Sequence, residues 1–80
     1  MNLAAVRTLV ETYTNHDLQQ AEAQLLEGEP LRIDVLGEDE GEQLTHILAA
    51  LWVRQHMAET GDALPLAMRA YTQRVRQSIT

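Results

Sequence analysis

The sequence predicts an all-α fold, a compact bundle of about four helices forming one domain over residues 1–80. Three observations carry that expectation. Apolar residues recur at three- and four-residue spacing over most of the chain. The glycines stand in short breaks between those stretches, and a single five-residue stretch, residues 31–35, alternates apolar with polar residues as a strand does.

Leu3, Val6, Leu9, Val10 and Tyr13 share one face of a helix expected over residues 2–14, with Asn2 placed to cap its start. Asn15-His16-Asp17 interrupts the pattern. Asp17 with Gln20 three residues on resembles a capping box, and Leu18, Ala21 and Leu25 mark the inner face of a second helix reaching about Glu27. Gly28-Glu29-Pro30 ends it, because glycine suits the position just past a helix and proline cannot continue one. Leu31-Arg32-Ile33-Asp34-Val35 has strand-like alternation but no second strand to pair with, so it is expected as a short extended segment packed on helices rather than as a ribbon across a dimer.

The turn Gly37-Glu38-Asp39-Glu40-Gly41-Glu42 leads into a third helix expected over residues 39–59, its carboxylates complementing the positive end of the helix dipole. Thr60-Gly61-Asp62 is the next break. Asp62 is the expected N-cap of a fourth helix running to near Ser78, Pro65 falls in the first turn where amide hydrogens have no helical acceptor, and Leu64, Met68, Tyr71, Val75 and Ile79 should point inward.

The third helix is apolar on two sides. On a wheel of about 100° per residue, Ile47, Leu48, Leu51 and Trp52 lie within about 80° of Leu44 and read as a core stripe. Ala49, Ala50, Val53 and Met57 lie opposite, with Thr45 and His56 on one flank and Arg54 on the other. Such a helix must be covered on both sides, either by the rest of its own chain or by a second copy. A chain of 80 residues buries a thin core, so the dimer is favoured. Its seam is expected at Ala50, Val53 and Met57, where a charge at Val53 should separate the two copies.

Composition narrows the functions. There is no cysteine, which removes disulfides, thiolate metal sites and thiol nucleophiles together. The amino terminus lacks the basic and apolar regions of a signal peptide and no apolar run is long enough to span a bilayer, so a cytoplasmic protein with no membrane contact is expected. A net charge of −6 disfavours nucleic acid, whose affinity comes largely from phosphate neutralisation. Charge is nonetheless uneven, because all twelve acidic residues precede residue 63, whereas residues 63–80 hold three arginines and no acid. Arg69, Gln73 and Arg76 follow one another on the outer face of the fourth helix and form a stripe suited to an acidic protein partner.

No catalytic constellation is visible. The one serine, Ser78, stands near the chain end away from any base, and the glycines at 28, 37, 41 and 61 form no phosphate loop. The acidic turn fails as a calcium loop, since counting from Asp34 the sixth position is Asp39 where glycine is needed. Glu42 and His46, four apart on one helix, present two metal ligands, and His56 is about 15 Å further along, so a metal or small ligand would need a subunit interface. His16 falls in a polar turn and Trp52 beside Leu48 and Leu51, positions that suit a solvated histidine and a core tryptophan.

The opening Met1-Asn2-Leu3 with Val6-Arg7 and Leu9, the Leu44 to Met57 helix and the ending Tyr71-Thr72-Gln73-Arg74-Val75-Arg76-Gln77-Ser78-Ile79 resemble an uncharacterised family of small bacterial helical proteins. The resemblance implies a helical domain of about this length and brings no activity, cofactor or catalytic residue with it. The expectation is therefore a non-catalytic protein-interaction module, homodimeric and without a cofactor. A ligand-binding protein using Glu42 and His46 at a subunit interface is the alternative.

Overall fold

The computed structural model describes residues 1–79, with side chains through Ser78, so the inward position expected for Ile79 lies outside the described side chains. Four helices follow one another: α1 (Leu3–Thr12), α2 (Asn15–Leu26), α3 (Glu40–Thr60) and α4 (Leu64–Ile79). The described residues contain no strand. The longest helix, α3, is the hub, and α1, α2 and α4 each pack chiefly on it.

Local chemistry sets the helix boundaries. The Asn2 side chain accepts hydrogen bonds from the Ala4 and Ala5 amides at 2.9 and 3.4 Å, satisfying donors that an α-helix leaves unpaired at its start. The capping box of α2 begins at Thr14, three residues before the expected Asp17. The Asp17 amide donates to the Thr14 hydroxyl and the Thr14 amide to the Asp17 carboxylate, each at 3.1 Å, so α2 opens at Asn15 and α1 closes at Thr12. The hydrogen bond from the Thr14 amide, and after it the Thr14 side chain, hold the Asp17 carboxyl below the usual range. Their contribution is present above the ordinary aspartate pKa and is lost as pH falls through the lowered one.

Gly61, with φ +76°, ends α3 in the left-handed conformation that glycine adopts without steric cost. Asp62 does not cap α4. Its carboxylate turns back to His56, 3.3 Å away, and the amides of Leu66 and Ala67 near the start of α4 donate to the Ala63 carbonyl.

Between α2 and α3 the chain has no regular structure, bends at Arg32 and Ile33 and packs on the helices. Val35 is buried and Leu31 and Ile33 are half-buried. The Tyr13 hydroxyl accepts from the Asp34 amide at 3.2 Å, and the Gln43 side chain donates to the Val35 carbonyl at 3.1 Å, so backbone groups unpaired by any sheet find partners in side chains. At Gly37 a Cβ would come within 2.7 Å of Gln43 Cγ and 2.9 Å of its amide nitrogen. A side chain there would push this segment off α3.

Val6, Leu9 and Val10 of α1, Leu18 and Ala21 of α2, Ile47, Ala50 and Val53 of α3, and Ala67 and Met68 of α4 form the core. Ala49, Ala50 and Ala67 are short, so the backbones approach closely there. Arg54 ties α1, α2 and α3 together. One guanidinium nitrogen donates to the carbonyls of Val10 and Tyr13 at 2.9 and 3.0 Å while Nε donates to the Asn15 side chain at 2.8 Å. The last turn of α1 has no basic residue of its own, so α3 supplies the cation that complements its negative end. Replacing Arg54 by methionine should lower the unfolding free energy by about 2 kcal/mol, because hydrogen bonds from charged donors contribute about 1.5–3 kcal/mol. Lysine should recover little, lacking the planar fork. Urea titration of both variants checks this, and a loss below about 0.5 kcal/mol would remove Arg54 from the framework.

Candidate functional site

The orientation of α3 decides which residues remain available. Ala50 and Val53 are 0% exposed and Ala49 is 2%, while Met57 is half-buried. The seam expected at Ala50, Val53 and Met57 is therefore filled by the protein's own helices. Three partners pack around α3, and they take the side built of small residues because short side chains let them approach closely.

The stripe expected as core is divided. Ile47 is buried, Leu44, Leu51 and Trp52 are half-buried, and Leu48 is 45% exposed. Leu44, Leu48, Leu51 and Gln55 run along the uncovered side at spacings of four, three and four residues. Asn15, Gln19 and Glu22 of α2 border this strip, forming with Leu48, Leu51, Trp52 and Gln55 an open groove of about 390 Å³. On the other flank α4 meets Trp52. The Tyr71 ring lies 5.6 Å from the indole, and the Arg74 guanidinium stands 5.7 Å from its centroid, a cation over an aromatic ring. His56 stacks on the same indole at 5.0 Å, so Trp52 is held at the strip by three neighbours, with part of its surface exposed.

His46 is wholly buried, and both ring nitrogens are engaged. Nε2 lies 3.0 Å from the Asn2 backbone nitrogen, which can only donate, and Nδ1 lies 2.7 Å from the Leu36 carbonyl, which can only accept. The ring is therefore the neutral tautomer protonated at Nδ1, joining the start of α1 to the segment before α3. Neither nitrogen has a lone pair left for a metal. The pairing of Glu42 with His46 as ligands thus fails in this conformation, and among the described residues no three histidine or carboxylate side chains converge. The clue was in the sequence, because His46 lies within about 40° of Ala50 and Val53 on the α3 wheel, on the side that became core.

The other two histidines are accounted for by their surroundings. His16 is exposed in the first turn of α2, and His56 is shared between Trp52 and Asp62. Glu42 lies in the first turn of α3, where its amide donates to the Asp39 carboxylate at 2.8 Å, so Asp39 caps the helix. On α4, Arg69, Gln73 and Arg76 are exposed on the side away from α3. Among the described residues neither Arg69 nor Arg76 has a carboxylate within salt-bridge distance, and Arg74 occupies a separate flank over Trp52.

Fold and surface together define a small all-α bundle whose central helix keeps one apolar strip uncovered and whose buried histidine is spent on its own backbone. No helix among the described residues is long and apolar enough to cross a membrane. The chain belongs to a family of unknown function, DUF6952, whose model matches residues 1–80. Comparison with curated proteins and with solved structures found no match.

Proposed function

We propose that this protein is a non-catalytic, cytoplasmic protein-interaction module whose docking surface is the open strip of α3 with its borders on α2 and α4. The observation that carries this reading is the exposure of Leu48, flanked by half-covered Leu51 and Trp52, on the helix that organises the whole bundle. The total surface agrees with it. At 5306 Å², the chain exposes more than the roughly 4,900 Å² usual for a folded monomer of 9.0 kDa. Apolar surface on a rigid helix, rimmed by polar groups, is the common form of a protein-binding patch.

A photoreactive amino acid placed at Leu48, and separately at Arg7 on the exposed side of α1, tests the proposal in cells. Discrete crosslinked protein species are expected from position 48 and not from position 7. No crosslink from position 48, or the same products from both, would remove the strip from function.

The stripe of Arg69, Gln73 and Arg76 supports a second contact, to an acidic protein. Changing both arginines to glutamine should move the unfolding free energy by less than about 1 kcal/mol, because exposed charges contribute little and salt screens them. Thermal melting measures this, and a larger loss would mean that these side chains serve the fold.

A further inference from the structure

We infer that the occupant of the α3 strip is a second copy of this chain, packed with the two α3 helices parallel so that α2 of each copy lies against α4 of the other. This rests on the strip being a docking surface and names its partner. The first argument is spacing. Leu44 and Leu51, and likewise Leu48 and Gln55, stand seven residues apart, the heptad spacing that keeps one seam facing another helix. With 21 residues, α3 is about 32 Å long, enough for the seam to run through several turns.

Charge decides the direction. The strip lies between two unlike borders, Asn15, Gln19 and Glu22 on the α2 side and Arg74 on the α4 side. A two-fold axis perpendicular to α3 would set α2 against α2 and α4 against α4, matching each border with its own sign. A two-fold axis along α3 exchanges the borders. Glu22 is the charged residue of the groove's α2 border, and Arg74, over the Trp52 indole, is that of the α4 border. The parallel arrangement therefore sets the border carrying Glu22 of each copy against the border carrying Arg74 of the other, whereas the antiparallel one brings like charges to each flank. Leu26, 68% exposed, lies four residues beyond Glu22 on the same edge of α2 and is covered by the partner's α4 in this arrangement.

Sedimentation equilibrium on the purified full-length chain, from about 1 to 500 µM, tests the inference. Wild type should reach twice the 9.0-kDa monomer mass. Glu22→Arg and Arg74→Glu should each weaken self-association about tenfold or more, since each homodimer then opposes like charges twice, while circular dichroism remains helical. Mixing the two variants should restore the dimer, because residues 22 and 74 are then of opposite sign at both contacts. Leu48→Glu should be monomeric and folded. Single variants that pair as tightly as wild type, or a mixture that stays monomeric, would overturn the parallel arrangement. A wild type that is monomeric throughout would overturn self-pairing, and crosslinks from position 48 to a different protein would then leave the docking surface standing.

Discussion

Replacing His46 by leucine should lower the unfolding free energy by about 3 kcal/mol, although the two side chains are similar in bulk. Leucine fills the space but leaves the Asn2 amide and the Leu36 carbonyl without their partners at 3.0 and 2.7 Å. Each polar group left unsatisfied costs about 1–3 kcal/mol, and a chain of this length has on the order of 4–12 kcal/mol in total. Denaturant unfolding measures the loss, and amide exchange locates it, with residues 31–39 and the first turn of α1 opening first. In wild type, nitrogen-15 spectra of the ring should show a protonated Nδ1 and a bare Nε2. The opposite tautomer, or a leucine variant as stable as wild type, would contradict this pair of hydrogen bonds.

Val53→Asp should abolish the cooperative folding transition. Val53 is 0% exposed in the middle of α3, and a carboxylate buried there without a partner costs several kcal/mol, comparable with the whole stability of the chain. The sequence-based expectation was that a charge at this position would separate two folded copies. Within the bundle it removes the core instead. Leu48→Glu, on the 45% exposed side of the same helix, should keep a cooperative folding transition. Circular dichroism melts of the two variants make the comparison, and a folded Val53→Asp protein would mean that α1 and α4 do not cover this face.

Much of the fold was legible because it is written in short-range patterns. The apolar spacing of Leu3, Val6, Leu9 and Val10, the glycine at 61 and the capping residue Asn2 each act within a few residues of themselves, and all three do what their local chemistry dictates. The unpaired segment at 31–35 was legible for the same reason, since a lone strand has nothing to bond with and must lie on helices. Boundaries were read less well. Thr14 and Asp17 were both able to cap α2, and a residue pattern alone does not choose between overlapping boxes. Asp62 was a good candidate cap until His56, six residues before it, drew its carboxylate away.

The functional surface was legible only in part, and α3 shows why. The sequence alone determined that this helix is long and apolar on two sides. It could not orient the helix, because two apolar sides give periodicity no preferred direction. Tertiary structure chose the side of Ala49, Ala50 and Val53 for the core, where small side chains let the neighbouring helices approach, and left Leu48 with its neighbours at the surface. The roles of Arg54 and His46 were likewise settled in three dimensions. Their partners lie up to 44 residues away in sequence, at Val10 and Asn2, and a hydrogen bond depends on distance in space, which local spacing along the chain does not specify.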